Sequence, residues 1–441
     1  MRRIFLVIGV VLVLIVTGLT LFLGIRQRNS YNAIVHKDAV SLLKVHTDGI
    51  VADLIWDGLW HRADSGRETQ RQGLMSLSTG LEIPANIFLY NFQEEPGVFF
   101  GTLSIENKQD FQQFISRHSG WESQAGDTLS RLSSDHFIAA YNTDEIAFAL
   151  FITPREEASW VASRLVGLLK HEDQVPLQAS SFGSQIKSKG HVNLLGKNKA
   201  RLDFEKGWIR FALNAPLAEV QIPESYKQGN SGFLRLSLSE ALQGGRPQWN
   251  LGPLTLSRDS LAKYNAGALQ LWWKGSTLQK DVVIRYDYDD DFNPIEVADT
   301  IERKVPAIYG RWDARAEPIV RYLRTAGLLD TLNSRLNPEA FPMFALYAKP
   351  LNANQLYLGS VEGGERQVPE QDKAQENSNL FYLNLDVIAA QEILPKTFNS
   401  FLEPLTSLEL KADISKEKAW TLQGKVGMRK PSVNSLIQFL E

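Results

Sequence analysis

The acidic run Asp287, Asp289, Asp290 and Asp291, followed by Asn293, brings the most metal-ligand oxygens together in this chain. Alternate oxygens from Asp287, Asp289 and Asp291 could hold a Ca²⁺ ion, which takes roughly six to eight hard ligands. The glycine and closing glutamate of an EF-hand are missing at the required offsets, so the alternative is a solvated hairpin end leading into an Asn293 helix cap. Two segments, Ser184–Lys187 and Ser415–Lys418, match the S-x-x-K nucleophile pattern of penicillin-binding enzymes, but the partner K-T-G does not occur. No two of the seven histidines stand at i,i+2, i,i+3 or i,i+4, the spacings of a local metal pair. Cysteine is absent, which removes disulfides, thiolate metal sites and cysteine nucleophiles. These residues nominate no catalytic set and no cofactor.

What would position the chain is its start. Ile4 to Ile25 runs without a charge, Asn or Gln. At ~1.5 Å per helical residue it covers about 33 Å, enough for a hydrocarbon core of ~30 Å. A secretory signal has a shorter apolar region of about 7–15 residues and then a small-residue cleavage site. Here Leu23-Gly24-Ile25-Arg26 follows instead, so a retained anchor is expected. Arg2 and Arg3 precede it and Arg26, Arg28 and Lys37 follow, nearly balancing the positive-inside count. The two-arginine head is the layout of an export signal and places the N-terminus in the cytoplasm. Net charge is −3, so no basic field for nucleic acid exists; 10% aromatic and 22% charged residues are those of a folded globule.

Along the remainder, strand-like and helix-like segments alternate. Val40–His46 reads as a strand, and Thr47 can cap a helix carrying Ile50, Val51, Leu54 and Ile55. Hairpins are expected at Asn86–Phe92 with Val98–Ile105, and at His136–Tyr141 with Ile146–Ile152. Asn107 can cap a helix with Phe111 inward, and Thr153-Pro154-Arg155-Glu156 opens another. Ala200–Asn214 reads as a hairpin, and Pro223–Gly232 as a linker. Beyond it come strands at Phe233–Leu238, Ala268–Trp273 and Asp281–Tyr288, then a helix start at Asn293-Pro294-Ile295-Glu296 and helical segments at Glu317–Arg324 and Leu328–Leu336. Val361–Asn379 reads as a mobile loop, and the end as a helix from Asp386, a hairpin from Leu408 to Met428 and a short helix after Pro431. Trp272 and Trp273 must alternate across their strand. Leu269, Leu271 and Trp273 are its expected core face, leaving Trp272 beside Gln270 and Lys274 as a binding-surface candidate; the alternative is a strand covered on both faces.

Pro84 and Pro342 each open an apolar run, and a glycine follows seventeen residues later in both, at Gly101 and Gly359. The expected fold is therefore α+β: an N-terminal transmembrane helix (1–28), then two tandem related halves, 29–223 and 233–441, each an antiparallel sheet with helices packed on one face.

The anchor Ile4–Ile25, the Ile83–Ile105 block and the Lys430-Pro431-Ser432-Val433-Asn434 stretch together resemble uncharacterised Gram-negative envelope proteins with one N-terminal anchor and a repeated α+β exterior. The resemblance implies no catalytic residue. The function expected is a single-pass inner-membrane protein with a periplasmic body that binds or scaffolds other envelope proteins, touching the lipid bilayer through residues 4–25. The alternatives are a lipid- or hydrophobic-ligand-binding protein and a hydrolase whose site converges only in three dimensions. N-terminal sequencing of native protein is expected to begin at Met1; a start near Arg26 would reverse the anchor expectation.

Overall fold

A computed structural model describes residues 17–18, 20–60, 79–117, 122–124, 130–153, 159–216, 233–237, 248–251, 253–288, 292, 294–369, 381–392, 402–414 and 419–440. The chain divides into two compact units: Met1–Lys206 with Phe211–Ala215 and Ser432–Glu441, and Gly207–Arg210 with Pro216–Pro431. The halves expected at 29–223 and 233–441 differ from these units in that Ser432–Glu441 groups with the first.

In the first unit, helix α1 (residues 20–30) leads to strands β1 (Ile34–His36) and β2 (Ser41–Val45) and helix α2 (Thr47–Trp60). The hairpin β3 (Ile87–Phe92) and β4 (Glu95–Ser104) precedes α3 (Lys108–Arg117). Asn107 caps α3 through Oδ1, which accepts from the amides of Gln109 and Asp110. Strands β5 (Glu122–Gln124), β6 (Ser130–Ser134), β7 (Phe137–Tyr141) and β8 (Glu145–Phe151) follow, then α4 (Ser159–Leu169). The unit continues through β9 (Gln174–Pro176), β10 (Val192–Gly196) and β11 (Lys199–Glu205); β12 (Trp208–Pro216) carries residues of both units. Every pairing in the sheet order β11-β10-β2-β3-β4-β8-β7-β6-β5 is antiparallel.

Helices cover both faces of this sheet, not one. Val161, Leu165 and Leu168 of α4 pack with Leu42, Tyr90, Phe100 and Ala149, while Phe111 of α3 packs with Leu89, Leu132, Ile146 and Phe148 on the other side. The reason lies in the strands: the segment 146–151 is apolar at every position, as a strand buried on both faces must be.

The second unit begins with β13 (Phe233–Ser237), β14 (Gln248–Leu251), β15 (Leu254–Ser257) and α5 (Arg258–Tyr264). It continues with β16 (Asn265–Tyr288), β17 (Pro294–Ala314), α6 (Ala316–Thr325), β18 (Tyr347–Asn352) and β19 (Gln355–Gly359). Then come β20 (Phe381–Asp386), α7 (Val387–Gln391), β21 (Leu405–Ile414) and β22 (Ala419–Met428); the last helix, α8 (Ser435–Leu440), belongs to the first unit. The sheet order is β18-β19-β17-β16-β13-β20-β21-β22, again antiparallel throughout. Ile319 and Val320 of α6 close one face over Trp312, Ala348 and Leu356.

Three sequence expectations fail here. Asn293-Pro294 starts no helix: Pro294–Ala314 is a strand, because β-branched Ile295, Val297, Thr300 and Ile301 suit the ladder with β16. Ala268–Trp273 and Asp281–Tyr288 belong to one strand, broken only by a register shift between Trp273 and Ser276, where Gly275 takes φ +73°. Leu328–Leu336 is a turn whose ends form a Leu329–Leu336 bridge; Asp330 Oδ1 accepts from the amides of Leu332 and Asn333 and competes with the helix. Of the expected loop, the segment 362–368 includes a short 3₁₀ turn (Gly364–Gln367), while 370–380 lie outside the described residues, as do the Pro223–Gly232 linker and the Pro154–Glu156 helix start. No helix among the described residues is long and apolar enough to cross a membrane, and residues 1–16 lie outside them.

The two sheets share one pairing order. Numbering β2, β3, β4, β7, β8, β10 and β11 by appearance gives the spatial order 7-6-1-2-3-5-4. Numbering β13, β16, β17, β18, β19, β20 and β21 gives the same order. Register then places Leu42 opposite Tyr90 and Tyr90 opposite Phe100, matching Phe233 opposite Trp272 and Trp272 opposite Tyr309. The counterpart of Gly101 is thus Gly310, not Gly359, and both glycines have the same neighbour: a Cβ at Gly101 would strike Cδ2 of Leu89, and one at Gly310 would strike Cδ2 of Leu271 and the Leu358 carbonyl. Gly310→Ala is expected to destabilise the second unit by about 1–3 kcal/mol, because a carbonyl in a ladder cannot retreat. Gly97→Ala, with nothing near the added methyl, should stay within ~0.5 kcal/mol in the same denaturant titration.

Candidate functional site

The bulge at Gly275 divides β16 into a root inside the sheet and an arm beyond it. Root residues 268–272 pair with β13, but residues 276–288 pair, as strands among the described residues, only with 294–306 of β17. At ~3.3 Å per residue the two-stranded arm is about 40 Å long. Such a ribbon has little stability alone and depends on its root. Gln279 supplies that hold: its buried side chain donates to the carbonyls of Ala345 (2.8 Å) and Ser360 (2.6 Å) and accepts from the Ala345 amide (2.8 Å).

Strand alternation gives the arm two faces, and both mix charge with apolar side chains. On one, Asp281 pairs with Arg303 (3.0 Å) and Arg335 (3.5 Å) and Arg285 with Asp299 (3.0 Å), beside the exposed Ile295 and Ile301. On the other, the exposed Leu278, Val282 and Ile284 are interrupted by the Lys280–Glu302 ion pair (3.9 Å). Phe292 at the tip is 84% exposed. Exposed apolar side chains on a ribbon that leaves its sheet mark a contact surface.

At the root, register lines up a polar row across one face: Tyr357, Arg311, Gln270, Arg235, Tyr382 and Lys411, each opposite the next. Arg311 Nη2 donates to Gln270 Oε1 (2.9 Å) and its guanidinium lies 5.8 Å from the Trp272 ring centroid. Lys411 sits 5.7 Å from the Tyr382 ring and 2.8 Å from Glu409, and the hydrogen bond to Glu409 raises its pKa. Burial pushes the Asp413 carboxyl up. In the first unit the counterpart of Arg235 is Lys44, buried over Tyr31, with Nζ donating to the carbonyls of Ile186 (2.8 Å) and Ser188 (2.9 Å); desolvation lowers its pKa. Tyr357, Arg311, Gln270, Arg235 and Tyr382 are buried, as is Lys44, whereas Lys411 keeps part of its side chain exposed.

Of the residues singled out from sequence, Trp272 is half-buried, with Tyr382 and Arg311 beside it on its own face of the sheet. Asp287 lies in the arm and faces Arg285 at 3.8 Å, whereas Asp289 and Asp291 lie outside the described residues. Among the described residues no group of three or more His, Asp or Glu could hold a metal. Ser184 and Lys187 are both exposed on a turn, and Ser415–Lys418 lies outside the described residues. Ile25 is an exposed residue of α1; Ile4 is outside the described residues.

Sequence reasoning missed the contacts of α2. Its Asp48 takes both Nε (3.1 Å) and Nη2 (3.0 Å) of Arg26, raising the guanidinium's pKa mainly through that hydrogen bond. Asp53 meets His191 Nε2 (3.1 Å), and buried Asp57 meets Lys206 Nζ (3.2 Å) and the amide of Asn434. These partners are far apart in the chain, and no spacing rule could have joined them.

No family model matches the chain, and no curated protein matches it. Solved structures with some likeness include crystal forms I, III and IV of TP0453, each 15% identical with a TM-score of 0.26, covering 42–43% of this chain and 80–81% of theirs.

Gln279→Leu removes three buried hydrogen bonds and is expected to cost about 1–3 kcal/mol or more. Hydrogen exchange should quicken first in the amides of 276–288 and 294–306.

Proposed function

We propose that this chain is a membrane-tethered, non-enzymatic binding or scaffold protein of the cell envelope. Ile4–Ile25 holds it in the inner membrane, its body lies in the periplasm, and the β16–β17 arm is the binding element. The observation carrying this reading is the arm itself: a long ribbon pinned at its root that holds Leu278, Val282, Ile284 and Phe292 in the open. The acid-rich tip sequence, Asp287 to Asp291 with Glu296, would repel anionic lipid headgroups and suits a cationic patch. The partner is therefore a protein surface that offers both apolar and basic side chains. Exposed Leu21, Phe22 and Ile25 of α1 extend the apolar run and support the tether. The shared pairing order and the Lys44–Arg235 and Gly101–Gly310 correspondences support two tandem copies of one ancestral unit.

The test is a cross-linked pull-down from solubilised membranes with wild type and a Val282→Asp, Ile284→Asp variant. Both substitutions lie at exposed positions, so folding should persist. The expected result is a discrete partner recovered with wild type and reduced at least about tenfold, ~1.4 kcal/mol, with the variant. Recovery of this chain alone, or of the same partner with both, overturns the reading.

A further inference from the structure

Helix α2 carries apolar side chains on both sides, with Ile50 and Leu54 half-buried next to Asp57. Its Asp57 is 1% exposed, whereas Val51, Ile55 and Trp56 on the opposite side are 51%, 46% and 60% exposed. At 100° per residue, Val51, Ala52, Ile55 and Trp56 span one arc, and beyond the first turn that arc carries no charge. The same helix holds the chain segment that leads out of the apolar run: Arg26 binds Asp48 in its first turn and also donates to the carbonyl of Ile83 (2.8 Å). Exposed Leu21, Phe22 and Ile25 stand immediately before that arginine.

We infer that the outer face of α2 lies on the phospholipid bilayer, with Val51, Ile55 and Trp56 in the boundary between headgroups and acyl chains. This rests on the tether proposed above. The Arg26–Asp48 pair fixes where α1 leaves the unit, so the helix beside it meets the surface that the apolar run enters. An uncharged arc with a tryptophan is the side-chain set that interfacial helices bury. The alternative covers are a second copy and the chain's own residues 61–78.

Because the protein has no cysteine, single Val51→Cys, Ile55→Cys and Leu14→Cys substitutions in the full chain can each carry a nitroxide without background. The chain is reconstituted in phosphatidylcholine–phosphatidylglycerol nanodiscs, and collision with oxygen is compared with collision with a water-soluble nickel chelate. The expected result is a several-fold excess of oxygen over nickel collisions at Val51 and Ile55, in the same sense as at Leu14. Nickel access at Val51 and Ile55 with lipid exposure at Leu14 overturns this inference and leaves the tether standing. Shielding from both reagents also overturns it, in favour of a second copy if the labels broaden one another and of the chain's own residues if they do not. Nickel access at Leu14 removes the tether and this inference together.

Discussion

A cation set in the middle of an apolar sheet constrains both units. Lys44 stands between Phe88 and Asn193, and Arg235 between Gln270 and Tyr382. A buried charge is tolerated only where hydrogen bonds replace its water, and for Lys44 the carbonyls of Ile186 and Ser188 do this. Apolar side chains cannot set the register here, since both faces of the first sheet are apolar. A slip of one residue would turn Lys44 toward Phe111, Leu132 and Phe148, where no carbonyl pair awaits it. The charge specifies the register that the apolar pattern leaves open.

The same register has a consequence in the second unit. The root of β16 is fixed by Gln270 and Trp272 in the row with Arg311, and the strand then leaves the sheet at Gly275 without losing β17. Positive φ at that glycine lets the bulge form without the strain a side chain would bring. Past the bulge, one buried glutamine does for the arm what Lys44 does for β2: it ties a strand to loop carbonyls through a polar group in an apolar setting. Stability is thereby concentrated at the root, and Leu278, Val282 and Ile284 of the arm stay outside the core.

Much of this was legible in the sequence, and the failures have physical causes. The hairpins β3–β4, β7–β8 and β21–β22 and the cap at Asn107 follow from alternation and cap chemistry, which are local. Asn293-Pro294 misled because its cap signal is also local, whereas the ladder with β16 that overrides it is not. The glycine spacing pairs the first hairpin of one unit with the second hairpin of the other. Only cross-strand register shows that Gly101 corresponds to Gly310. Strand alternation places Trp272 opposite Leu271 and Trp273 but cannot show that Arg311 and Tyr382 flank it on its own face.

The three aspartates of α2 show how polar groups can free an apolar surface. Asp48, Asp53 and Asp57 reach Arg26, His191 and Lys206, and Asn434 adds its amide to Asp57. Segments from both ends of the chain therefore close on one helix through charge-assisted bonds. A helix attached in the usual way turns its apolar arc to the core and its acids to water. Here desolvating Asp57 opposes stability, and the ion pair with Lys206 and the bond from Asn434 offset part of that cost. Inside, Ile50 and Leu54 share the buried side of the helix with Asp57, and Val51, Ile55 and Trp56 are left on the outer side.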